Sequence, residues 1–144
     1  MRTFGILTFL LVLCIMINPV HGAVPLEKVK ISESGLVNRI GNPIGTNVNV
    51  NQQVLISSKI TNMQADDQDF IYIVQIKNEN GGVVKIGWIT GKLTKNQNFV
   101  PAVSWVPTTQ ETFTIEIYVW DGLDPKKHKY EALSDAIKFL VTSS

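Results

Sequence analysis

The sequence predicts an all-β antiparallel sandwich of seven to eight strands, and three observations carry that prediction. Apolar residues recur at every second position in several separate runs, the spacing of a strand with one buried face. Clusters of Gly, Pro, Asn and Asp stand between those runs and supply the turns. No stretch of helical length shows a helical period. Many short strands joined by turns read as two packed sheets rather than as an α/β fold.

Taken in order, Val29 to Ser32 and Asn47 to Val50 read as two short pieces of a first strand, separated by the turn at Gly41, Asn42 and Pro43. In Val54 to Thr61, one face carries Val54, Ile56, Ser58 and Ile60, which makes a half-buried strand. Phe70 to Lys77 places Phe70, Tyr72, Val74 and Ile76 on one face, with Ile71 and Ile73 on the other. Both faces are apolar at its start, so this strand is expected to be central and covered at that end. Asn80, Gly81 and Gly82 then form a hairpin turn, and Val83 to Ile89 returns antiparallel.

Phe99 to Val106 is a further strand, but Pro101 lies in it and Pro107 follows it. Proline cannot donate to a sheet ladder, so this strand belongs at an edge or carries a bulge. Thr112 to Trp120 has the cleanest alternation, with Phe113, Ile115, Ile117 and Val119 inward and Glu116 and Tyr118 outward. Ala136 to Thr142 repeats it with Ile137, Phe139 and Val141 inward. The outward position of Glu116 leads to the expectation that its replacement costs little.

Met1 and Arg2 are followed by an apolar run from Phe4 to Ile17, closed by Asn18 and Pro19. That pattern reads as a secretory signal peptide over residues 1–22, cut after Gly22 to leave residues 23–144 as a single domain. The run is shorter than a spanning helix requires, so no stable membrane insertion is expected after cleavage. Leu13 before Cys14 argues against lipidation, and loss of Cys14 leaves the domain without thiol or disulfide. Arg2 leaves with the signal, so basic and acidic residues balance and no net field steers the domain to nucleic acid. Secretion or residence in the cell envelope is the expected localisation.

The stretches VNVNQQVLISSKI from Val48, DFIYIVQIK from Asp69, GWITGKL from Gly87, VSWVP from Val103 and YVWDGL from Tyr118 resemble Ig-like domains in secreted proteins of ammonia-oxidising archaea. Those domains are similar to CARDB-type and fibronectin type III-like sandwiches. The resemblance covers most of residues 23–144 and implies an Ig-like fold, an extracellular or envelope setting and no established chemistry. In typical fibronectin-like sandwiches a tyrosine hydroxyl bonds backbone at one corner, and here Phe113 holds the comparable place.

Several chemistries can be weighed on composition. A type 1 copper site needs two His and a Cys thiolate, whereas residues 23–144 hold His128 alone, no Cys, and Met63. Zinc fails on the same count, and no cofactor is expected. No pattern sets a nucleophile or an orienting acid beside His128, so no enzyme is expected. Asp66, Asp67 and Asp69 form an acidic loop and are a lesser candidate for calcium, without EF-hand spacing.

Trp88, Trp105 and Trp120 read first as core or sheet-edge packing. Trp120 is the exception, because alternation puts it opposite Val119 and beside Tyr118 at a strand end. Gln75 is expected to pair with backbone or a neighbouring side chain. Lys126, Lys127, His128, Lys129 and Tyr130 form the most distinctive surface segment, suited to an acidic glycan, a lipid headgroup or an acidic protein face. Together with Tyr118 and Trp120 these are the candidate partner-contact residues. The expected function is a secreted, non-enzymatic binding or adhesion-type module that contacts protein or glycan at the cell surface. The alternatives are a structural subunit of a surface layer or filament, or a hydrolase with an unrecognised site.

Overall fold

The computed structural model describes residues 27–122 and 130–144. Ten strands follow in order: β1 (Val29–Val37), β2 (Pro43–Ile44), β3 (Asn47–Val48), β4 (Val54–Asn62), β5 (Gln68–Lys77), β6 (Val83–Leu93), β7 (Asn98–Phe99), β8 (Ala102–Trp105), β9 (Thr112–Trp120) and β10 (Ile137–Ser143). One sheet runs β2-β1-β4, with β7 and β8 both along the far side of β4. The other runs β3-β10-β9-β5-β6. Every pairing is antiparallel except the short parallel contact of β3 with β10. The described residues form an all-β sandwich.

Between the sheets lie the inward sets that alternation predicts. Val54, Ile56 and Ile60 face Tyr72, Val74, Ile76, Ile115 and Ile117, all fully buried. Such a core forms because each strand offers one apolar face and only a second sheet can cover it. A polar chain crosses this space: the Tyr72 hydroxyl lies 3.1 Å from Ser58 Oγ on the facing sheet, and Ser58 Oγ lies 2.9 Å from Ser34 Oγ. Burial pushes the Tyr72 phenol up to about 12, with the Ser58 hydrogen bond opposing that rise. At the position where fibronectin-like folds bond through tyrosine, Phe113 packs edge-on against Trp105, with ring centroids 4.9 Å apart.

β5 is central, and Ile71 on its outer face is fully buried, as the apolar start of that strand implies. The prolines act as expected. The strand predicted over Phe99 to Val106 breaks at Val100 and Pro101 into β7 and β8, both at the edge beside β4. The carbonyl of Pro101 remains useful, accepting from Ser57 Oγ at 3.0 Å.

One element differs from expectation. Val29 to Ser32 and Asn47 to Val50 are not two pieces of one strand. β1 runs unbroken to Val37 through a bulge between Ser32 and Gly35, turns back as β2, and the chain then crosses to the other sheet as β3. The turn at Gly41 therefore closes a β1–β2 hairpin rather than interrupting a strand. Which sheet receives β3 depends on its partner Thr142 and Ser143, almost a hundred residues away in sequence, and local pattern carries no trace of that.

Candidate functional site

The outer face of the β6-β5-β9-β10 sheet is assembled by strand register. Gln75 on β5 stands between Ile86 on β6 and Glu116 on β9, and Lys138 on β10 follows Glu116. The next row is Trp88, Ile73 and Tyr118, and the row beyond is Thr90, Ile71 and Trp120. Three aromatic side chains thus share one sheet face around an isoleucine floor. Tyr118 and Trp120 meet edge-on, ring centroids 6.3 Å apart and planes at 66°. Trp88 stands two strands away and is 61% exposed.

Beside the rings lies a charged cluster. Glu116 is only 9% exposed, although it points away from the core. Its Oε2 accepts from Gln75 Nε2 at 2.9 Å and from the Tyr118 hydroxyl at 3.0 Å, with Lys77 Nζ at 2.8 Å. Lys138 Nζ approaches Oε1 at 3.8 Å. The Lys77 ammonium holds the Glu116 carboxyl below its ordinary value, helped by Tyr118 and Gln75 and opposed by burial. The same hydrogen bond raises Lys77, and burial followed by the bond to Glu116 raises Tyr118. A carboxylate this covered persists charged because every neighbour is a donor.

These positions sort the sequence-based candidates. Tyr118 and Trp120 come together on this face. Tyr130 is 39% exposed, and Lys126, Lys127, His128 and Lys129 lie outside the described residues. Among the described residues on either side of it, Asp121 N donates to the Glu131 carbonyl and Trp120 pairs with Ala132 at the end of β9. Asp66, Asp67 and Asp69 do not converge: Asp66 offers its carbonyl to Asn62 Nδ2 at 2.7 Å, and Asp69 Oδ1 faces Lys92 at 3.7 Å. Among the described residues no group of three His, Cys, Asp or Glu side chains is placed to hold a metal.

Two features depart from the sequence reading. Trp105 is core, whereas Trp88 stands on the edge strand β6 with its ring 61% exposed rather than packed. The cause is on its own strand, where Gly87 and Gly91 take the inner side because neighbours press close. A Cβ at Gly87 would meet Val103 Cγ1 at 2.5 Å, and one at Gly91 would meet Phe70 Cε1 at 2.9 Å. Glycines at positions 87 and 91, both on the face opposite Trp88, are the signal that places the ring outward. Glu116 is the second departure, an outward residue that is nonetheless buried and bonded, while Gln75 pairs as expected.

No family model matches the chain, and no curated protein matches it. Solved structures do. The C-terminal domain of Wzt aligns over 84% of this chain and 76% of its own, with TM-score 0.65 and 15% identity. The CARDB domain of a Pyrococcus furiosus protein, solved in complex with di-metal ions, aligns over 84% of this chain and 93% of its own, with TM-score 0.53 and 17% identity. Pseudomonas fluorescens AlkC, an alkylpurine DNA glycosylase, aligns over 81% of this chain but only 31% of its own, with TM-score 0.56 and 12% identity. At these identities the likeness is one of fold. The chain has the Ig-like β-sandwich fold of CARDB-type domains, a fold seen here both in single domains of other proteins and in part of a DNA glycosylase.

Proposed function

We propose that this domain is a non-enzymatic binding module of the cell surface or envelope, and that it contacts glycan or protein through the outer face carrying Trp88, Tyr118 and Trp120. The observation that supports this reading is the coincidence of three aromatic rings with a donor-rich carboxylate cluster on a face no other element packs on among the described residues. Rings offer flat apolar area with little entropy to lose, and Gln75, Lys77 and Glu116 supply directional hydrogen bonding beside them. The larger grooves add no reactive constellation. One of about 400 Å3 between β6 and β8 has Lys85 and Glu111 as its ionisable lining, and one of about 480 Å3 beside β1 and β10 has Glu33.

The basic residues Lys126, Lys127 and Lys129 lie in sequence between Asp121 and Glu131, which meet at the Trp120 end of β9, and their charge favours an acidic partner. Retention of the purified chain on native envelope material tests the reading. Trp120→Ala is expected to weaken retention by about tenfold, the worth of one stacked ring. Replacing Lys126, Lys127 and Lys129 with Gln is expected to remove its salt dependence. Retention unchanged in Trp120→Ala and in Tyr118→Ala would overturn the assignment of this face.

A further inference from the structure

We propose that two copies of this chain join through β6, edge to edge and antiparallel, with Trp88 meeting Trp88 across a two-fold axis. Among the described residues four edges close the two sheets. β2 and β3 cover only Leu36–Val37 of β1 and Thr142–Ser143 of β10, so β1 and β10 form most of those two edges. β1 is bent by its bulge between Ser32 and Gly35, β10 is seven residues long, and the β7–β8 edge is interrupted at Val100 and Pro101. Short strands and proline are the ordinary means by which sheets avoid pairing with foreign strands. β6 is neither short nor broken by proline, and its one irregularity is a bulge at its start, where Val83 rather than Val84 stands opposite Lys77. Among the described residues it runs eleven residues and pairs on one side only, with β5.

In an antiparallel pair alternate residues direct both N–H and C=O to the neighbour, so the remaining residues of β6, about half, aim theirs outward. The apolar side chains along this edge are open to solvent, with Lys85, Thr90 and Lys92 exposed among them: Val83 is 50% exposed, Val84 49%, Ile86 51% and Trp88 61%. A fitting partner must offer an unpaired edge of similar length and an apolar stripe of similar position. The second copy offers both, and its sequence fixes the register.

Overlap of the regular part of the strand, beyond the bulge at Val83 and Val84, puts Lys85 against Gly91, Ile86 against Thr90 and Gly87 against Ile89. Within that stretch outward side chains stay outward, as the pleat requires. Neither lysine meets a lysine, so the like charges that discourage edge pairing are staggered apart. On the axis the two Trp88 rings form an aromatic cross-strand pair. Because each copy presents the same patch, the contact closes at two. Two five-stranded sheets become one of ten, and the aromatic faces of both copies run together.

Sedimentation velocity over a wide concentration range, on the full chain carrying Cys14→Ser, is expected to show a reversible monomer–dimer equilibrium. Ile86→Lys should weaken association by about tenfold or more while leaving the melting temperature unchanged, since Ile86 is half exposed. In the same background, Trp88→Cys alone should oxidise to a covalent dimer and Ile86→Cys alone should not. Ile86→Cys mixed with Thr90→Cys should cross-link, and that pair carries the test if Trp88→Cys fails to fold. A monomer at every concentration, association indifferent to Ile86→Lys, open-ended polymers, or self-linking of Ile86→Cys would each overturn the proposal.

Discussion

The two faces of the β6-β5-β9-β10 sheet are built from interleaved residues of the same strands, yet they are made for different neighbours. On β9, Phe113, Ile115, Ile117 and Val119 meet the facing sheet and are nearly or wholly buried. One residue over, Glu116, Tyr118 and Trp120 are half-buried to buried without any facing sheet, covered by their own neighbours on β5, β9 and β10. Burial alone therefore does not separate the faces; chemistry does. The inner face gains by excluding water from apolar surface, whereas the outer face satisfies a carboxylate and displays rings.

Substitution should expose that difference, most strongly on the inner side. Ile115→Ala and Ile117→Ala are each expected to lower stability by about 2–4 kcal/mol in a denaturant titration, because each removes buried methylenes and leaves a cavity. Tyr72→Phe should cost about 1 kcal/mol: the ring remains, and Ser58 keeps Ser34 while losing the hydroxyl across the core. Equal losses from Ile115→Ala and from an outer-face alanine would erase the distinction between the faces.

Glu116→Gln is expected to cost less than about 1 kcal/mol at neutral pH, and to show its origin through pH. The folded Glu116 carboxyl lies below its ordinary 4.5, so its contribution is fully present above that value and is lost as pH falls through the lowered one. Lys77 is raised above its ordinary 10.5, so its share is present below that value and disappears as pH rises through the raised one. Melting temperatures of the parent and Glu116→Gln should therefore differ at neutral pH and converge in acid. A difference that persists in acid would mean that Glu116 acts through packing rather than charge. The smallest effect is expected for Trp88→Ala, within about 0.5 kcal/mol, since the ring is mostly in solvent. A large loss there would show that Trp88 belongs to the core after all.

How much of this was readable varies with how local the cause is. The alternation in β9, the central place of β5 and the proline-broken edge of β7 and β8 follow from residues within each run, and the structure agrees at each. Tyr118 and Trp120 were legible as an outward pair for the same reason. Glu116 was legible as outward but not as buried, because its partners Gln75, Lys77 and Lys138 arrive from two other strands. The exposure of Trp88 is not legible in its own run, because the closeness of Val103 to Gly87 and of Phe70 to Gly91 is a distance across the sandwich and to the neighbouring strand.

By itself, the sequence determined that this chain makes short strands with one apolar face each, and hence a two-layer sandwich, since period and turn chemistry act within a few residues of chain. Only the tertiary structure decided which sheet takes β1 and which takes β3. It alone set Trp88, Tyr118 and Trp120 on one face, and it alone made β6 the longest edge strand among the described residues. Each of those depends on register between strands distant in sequence, and register is fixed by what the assembled faces bury together rather than by any single run of residues.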